Sequence, residues 1–179
     1  MKKREFLFFI CLMVAGCGTH FPTYEDTANS KLIQANSAAA DRLLASLKQP
    51  LDKSVPLVVT ALSSVDSPTE PSRLGRMASE YLEARLTKLG YRVIRLELRD
   101  AAFVKQRKGE LLLLREVMDV ARSHGAQAVI VGMYSESKES AYFDLKIVSV
   151  QGNMTIGAYD YIFPLDRDVQ ALLAKGLAP

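Results

Sequence analysis

Apolar residues recur along this chain in three registers: unbroken runs, strict alternation, and the three-and-four spacing of a helix face. The first run stands at the start. Phe6 to Ala15 is ten consecutive apolar residues, preceded by Lys2, Lys3 and Arg4 and followed by Gly16 and Cys17. A positive start, a short apolar stretch and a small-residue exit form the pattern of an export signal. The run is too short to span a bilayer, which takes about 20 apolar residues. The segment 1–16 is therefore expected to be a leader, with an ordinary signal peptide or a buried start of a cytoplasmic domain as the plainer alternatives.

Helical spacing begins later. Leu32, Ala35, Ala39, Leu43, Leu44 and Leu47 mark one face of a helix expected over Thr27 to Leu47, closed by Pro50. Leu57 to Leu62 is a short, mostly apolar run with β-branched residues, the pattern of a strand covered on both faces. Ser63 to Pro71 carries Ser, Asp and Pro and is expected as a loop. Ser72 can cap a second helix, whose face is marked by Leu74, Met77, Ala78, Tyr81, Leu82, Leu86 and Leu89 and whose end is Gly90. Tyr91 to Leu98 alternates Ile94, Leu96 and Leu98 with Arg95 and Glu97, so one face or edge of that strand is wet. Leu111, Leu114, Val117, Met118 and Ala121 line a third helix that Gly125 ends. Ala128 to Met133 is a second buried strand. Two alternating strands follow, around Phe143 to Ile147 and over Thr155 to Phe163, joined through Gln151-Gly152-Asn153. Tyr159, Tyr161 and Phe163 share one face of the last strand, expected in the core; facing outward they would make an interface. A short helix over Val169 to Lys175 is expected in the tail.

The order is a helix, then β-α-β-α-β-β-β. Crossover helices make the early strands parallel, and the tight final connections make the last ones antiparallel. The fold class is therefore α/β: one domain, a mixed parallel and antiparallel sheet with helices packed on it. The divisions are 1–16 leader, 17–30 tether, 31–165 domain and 166–179 tail.

Charge and cysteine usage narrow the function. The chain of 179 residues has 23 basic and 20 acidic residues; the leader removes three of the former and one of the latter, leaving 20 and 19. A near-neutral domain has no electrostatic footprint for nucleic acid. Cys11 lies in the leader and Cys17 at its exit, so the rest of the chain has no cysteine for a disulfide. Gly18 to Ser30 is polar and contains Pro22. These thirteen residues reach at most about 45 Å, which keeps the domain close to whatever holds Cys17.

Residues with chemical potential are few. His20 lies in the tether. His124 precedes a helix-ending glycine, where histidine serves as a favourable last-turn residue. Ser63, Ser64 and Ser67 follow a strand without a nucleophile elbow. Gly75 and Gly90 belong to no phosphate-binding loop. Asp66 and Glu70 sit in the loop beyond the first strand, where open α/β sheets bind ligands; they read either as solvated or as part of a pocket. Arg99, Lys105, Arg107 and Lys108 form a basic stretch. It is a solvated loop or, more sharply, a contact for an anionic surface or an acidic neighbour. Gly75 within a helix costs about 1 kcal/mol against alanine, which close approach to the sheet or a neighbour would explain. Arg76 and Glu80, four apart, are spaced to pair across one turn. No catalytic residue, metal set or cofactor site is expected.

Val14-Ala15-Gly16-Cys17 resembles a lipobox, which implies acylation of the Cys17 thiol, cleavage before it and acylation of the new amino terminus. Gly18 is not the aspartate that retains such proteins at the inner membrane, so the resemblance implies the outer membrane. Ser72-Arg73-Leu74-Gly75-Arg76-Met77-Ala78-Ser79-Glu80, Leu89-Gly90-Tyr91-Arg92-Val93 and Gly125-Ala126-Gln127-Ala128-Val129-Ile130-Val131-Gly132 resemble the FlgO-type flagellar outer-membrane lipoproteins. The resemblance runs from about Asn36 to Leu165. Its helix-then-strand pattern is also similar to the amino-terminal domain of TolB and to lipoproteins of the CsgG and LpoB kind. It implies a non-enzymatic accessory component of the flagellar envelope complex, needed for full motility. That component would face the periplasm, with no cofactor beyond the lipid on Cys17. The implied partners are the outer membrane, basal-body or other envelope proteins, and further copies in a ring. The structural motif would be Leu74, Gly75, Arg76 and Glu80, and Asp66, Glu70, Lys105, Arg107 and Lys108 would offer an interaction surface. The rival implication is a lipoprotein that regulates a periplasmic cell-wall enzyme or a secretion system.

Overall fold

A computed structural model describes residues 30–67, 72–96 and 110–173. The chain divides into Met1–Ser30 and Lys31–Pro179, and the second unit carries every element below. Helix α1 is Lys31–Ala45, strand β1 Leu57–Thr60, β2 Ser63–Ser64 and helix α2 Arg73–Lys88. Strand β3 is Val93–Leu96, helix α3 Glu110–Ser123, and strands β4, β5 and β6 are Ala128–Glu136, Ser140–Ser149 and Thr155–Pro164; helix α4 is Arg167–Leu173. The sheet runs β3-β1-β4-β5-β6, with β2 pairing β4 off this path. β1 pairs in parallel with β3 and with β4, and β4-β5 and β5-β6 are antiparallel. The mixed α/β domain expected from the sequence is the fold observed.

Two corrections concern β2 and the tail. Ser63–Ser64, expected in a loop, is a two-residue strand with Ser63 opposite Met133 and Ser64 opposite Tyr134. It has no apolar alternation because its pairing is made by backbone. In the expected tail, α4 docks on the domain: Val169 is fully buried, and the Arg73 guanidinium donates to the Ala171 carbonyl at 2.7 Å.

Alternation along the strands places side chains on two faces. On one, α1, α2 and α4 cover Leu57, Val59, Ile130, Tyr134, Phe143, Leu145, Ile147 and Phe163. On the other, α3 brings Val117, Met118 and Ala121 against Val58, Val129 and Val148. Leu111 and Leu114 lie within α3, with side chains outside the described set, as do Glu97 and Leu98 beyond β3. The aromatic stripe of β6 points into the first core. Tyr161 stacks on Phe143 with ring centroids 4.7 Å apart, and its hydroxyl donates to Asn36 Oδ1 of α1 at 2.7 Å. Asn36 Nδ2 donates in turn to the Leu32 carbonyl at 2.8 Å, so this fully buried amide is satisfied on both sides. The Ser46 hydroxyl, at the end of the same helix, accepts from the Ala158 N–H at 3.1 Å.

Two glycines stop helices in the left-handed region, Gly90 at φ 90° and Gly125 at φ 63°. Beyond Gly125, Gln127 holds the Asp52–Pro56 loop in place. Its side-chain amide donates to the Val55 carbonyl at 2.8 Å and accepts from the Asp52 N–H at 3.0 Å.

Candidate functional site

The carboxyl ends of β1, β2 and β4 meet the amino terminus of α2. This is where open α/β sheets place ligands, and where the sequence places Asp66. The loop is built by three backbone-directed contacts. The Val65 N–H donates to the Tyr134 carbonyl at 2.9 Å, the Ser67 N–H to the Ser64 carbonyl at 3.3 Å, and the Asp66 N–H to Ser64 Oγ at 3.3 Å. Ser72 caps α2, its hydroxyl accepting from the Gly75 N–H at 2.9 Å. The cap expected at Ser72 is therefore present.

Gly75 lies in the first turn of α2, not in its middle as its motif position suggests. The close approach is real and very tight. A Cβ added there would overlap the Leu62 carbonyl oxygen and lie 3.1 Å from Ser72 Oγ. Leu74 is fully buried beside it. Only a residue without a side chain lets the first turn of α2 rest on the backbone that leaves β1.

The expected Arg76–Glu80 pairing is replaced by a longer-range one. The Glu80 carboxylate meets the guanidinium of Arg95 on β3, which also donates from Nε to Glu83 at 2.8 Å. Helical spacing allows the local pair, but Arg95 lies over α2 and offers a planar fork to two carboxylates at once. Arg76 is exposed.

Tyr134 and Glu136 complete the cluster; the expected strand stops one residue before Tyr134. Burial pushes the Tyr134 phenol above its ordinary value, partly opposed by hydrogen bonding with the Ser72 and Ser64 hydroxyls. Burial, and then the charge of Asp66, raise the Glu136 carboxyl. Two carboxylates and three hydroxyls thus share one end of the sheet. The Ser72 hydroxyl is engaged in capping the helix and that of Ser64 in closing the loop. His124 is far away, at the opposite end of the nine-residue β4, roughly 25 Å along the strand. Its Nδ1 lies 3.0 Å from the Val120 carbonyl oxygen, a last-turn contact within α3. Among the described residues no group of three metal-ligating side chains forms. Cys17, Glu70, Lys105, Arg107 and Lys108 lie outside the described residues.

A protein-family model described as FlgO protein matches residues 37–168. Among solved structures, the LpoB C-terminal domain from Salmonella enterica aligns with a TM-score of 0.56 at 14% identity, covering 74% of this chain and 98% of that one. The corresponding domain from Escherichia coli aligns with a TM-score of 0.54 at 15% identity, covering 74% and 98%. At such identity the likeness is one of fold. No curated protein matches the sequence.

Proposed function

We propose, since this chain belongs to the FlgO protein family, that it is a non-enzymatic, lipid-anchored component of the outer membrane, and that it serves as a structural accessory of the flagellar envelope complex required for full motility. The observation that carries this is the family match across almost the whole described domain. Two features support it. The polar groups at the carboxyl end of the sheet serve the fold: Ser72 caps α2 and Ser64 closes the loop before it. In the sequence, Val14-Ala15-Gly16-Cys17 offers a lipid attachment point thirteen residues before the domain. That tether holds the domain within about 45 Å of the membrane, short for a regulator that must reach an enzyme at the inner membrane.

Deletion is expected to reduce swimming while leaving cell shape and sensitivity to wall inhibitors unchanged. The protein is expected to fractionate with outer-membrane basal-body parts and to incorporate labelled palmitate, lost in Cys17→Ser. Normal motility in the deletion together with a wall-synthesis defect moves the function to the enzyme-regulator alternative. Absence of label in the wild type removes the anchor.

A further inference from the structure

Among the described residues, the last strand leaves an edge. In the order β3-β1-β4-β5-β6 only β5 borders β6, and β6 is ten residues long. The ladder fixes which of its amides face outward. The Leu165 N–H donates to the Glu139 carbonyl in the register that sets Phe143 opposite Tyr161. Bonded pairs alternate in an antiparallel ladder, so Phe163, Tyr161 and Tyr159 bond inward to β5. Ala158, Asp160 and Ile162 then point their N–H and C=O groups away. Ser46 takes the Ala158 N–H, and Pro164 has none to give. Among the described residues, the open donors of β6 between Ala158 and Pro164 are those of Asp160 and Ile162.

The side chains beside this short edge lie on the α3 side of the sheet, beyond the residues that α3 packs against. Tyr142 and Ile162, directly opposite each other, are 47% and 60% exposed, two of the four exposed large apolar residues among those described. Next along the strands Asp144 stands opposite Asp160. Like charges directly opposite destabilise a sheet, and Lys146 Nζ, 2.8 Å from Asp144, offsets one of them. Among the described residues no ion pair engages Asp160. An acidic position and an apolar one thus alternate along an edge with room for a few residues of added strand.

We infer that this edge docks a short extended segment of a partner protein, one that alternates a lysine or arginine with an apolar residue on the side facing Asp160 and Ile162. The partner's backbone pairs with the amides of Asp160 and Ile162, its cation sits between the two carboxylates, and its apolar side chain covers Ile162 and Tyr142. Charge decides against a second copy of this chain as the occupant. Pairing β6 with β6 brings two Asp144–Asp160 pairs together, four carboxylates against two Lys146 ammonium groups. This surface deepens the structural accessory role proposed above, yet its test needs neither the lipid nor a flagellum.

The probe is an end-capped, fluorescein-labelled peptide, Thr-Lys-Thr-Val-Thr-Lys-Thr-Val, with a control in which Glu replaces Lys. Binding to the full-length protein in neutral detergent is read by fluorescence anisotropy, and backbone protection by hydrogen exchange. The basic peptide is expected to bind at least tenfold more tightly than the control, to weaken with salt and to protect Asp160 and Ile162. Asp160→Lys should invert the preference between the two peptides, and Ile162→Ser should weaken the basic one severalfold. Both positions are exposed, and circular dichroism checks that the variants stay folded. Equal affinity for the two peptides, no binding to folded protein, or protection of these amides before peptide is added each overturns the proposal. So does a concentration-dependent dimer that protects the same amides. Peptide binding as expected beside normal motility in the deletion keeps the surface and removes the flagellar role.

Discussion

Replacing Gly75 with alanine adds one methyl group at the tightest contact of the α2 amino terminus. In an ordinary helix interior the change stabilises by about 1 kcal/mol. Here the new carbon overlaps the Leu62 carbonyl oxygen and stands 3.0 Å from its carbon, where carbon atoms meet comfortably at about 3.5–4.0 Å. Both partners are backbone, so no side chain can rotate away. The first turn of α2 must lift from the strand exit, and overpacking of this kind costs about 1–3 kcal/mol. Lifting also strains the bond from the Gly75 N–H to Ser72 Oγ, a cap worth about 1 kcal/mol. The net expectation is a loss of about 2 kcal/mol. For a domain of this size that is a fall of about 4–8 °C in melting temperature. Urea denaturation followed by circular dichroism measures the free energy, and a thermal scan measures the shift. Ser72→Ala alone should lose about 1 kcal/mol, and the double variant should lose less than the sum, because both act on one turn. A Gly75→Ala protein at least as stable as the wild type would refute the packing argument.

Tyr161→Phe leaves the fully buried Asn36 Oδ1 without its donor and should cost about 1–3 kcal/mol in urea denaturation. Tyr161 also sets an alkaline limit. Burial raises its phenol above the ordinary value of 10.0, so its contribution is intact below pH 10 and lost as pH rises beyond it, by up to about 1.4 kcal/mol per pH unit. Tyr161→Phe should make that alkaline slope shallower, and an unchanged slope would place the titration elsewhere. Arg95→Ala removes a half-exposed fork to Glu80 and Glu83. It should cost no more than about 1 kcal/mol, and less in high salt, a magnitude that paired urea titrations at low and high salt can check.

What the sequence disclosed followed from period and punctuation. Runs and alternations located five strands, Gly90 and Gly125 marked two helix ends, and connection length separated parallel from antiparallel pairing. The alternation around Arg95 announced a wet strand, and β3 is an edge. The features it hid depend on residues far apart in the chain. β2 pairs through backbone alone, so Ser63 and Ser64 look like any loop serines. Glu80 has a partner at helical spacing and another fifteen residues away, and only the fold shows that Arg95 takes it. Gly75 was legible as a packing glycine, but its neighbour, the Leu62 carbonyl, carries no sequence signal. Tyr134 and Glu136 lie beyond the apolar run that announced β4, where the strand continues because β2 and β5 pair with it. The open amides of β6 were invisible for the same reason: an edge is a property of strand order.

The bonds from α1 to β6 also set a timetable. Asn36 reaches Tyr161 across 125 positions of chain, and Ser46 reaches Ala158 across 112. A chain made and delivered amino terminus first exposes α1 long before β6 exists to receive it. The apolar stripe of that helix, Leu32, Ala39, Ala40 and Leu43, packs on α2 as well as on the sheet, and the part of its seat that β6 supplies is missing until the final hairpin arrives. The domain therefore completes its closure late, with slow, non-local pairing as its last step. If the chain is exported as the proposed outer-membrane role requires, a thread that cannot close early stays loose enough to pass through a narrow translocation channel.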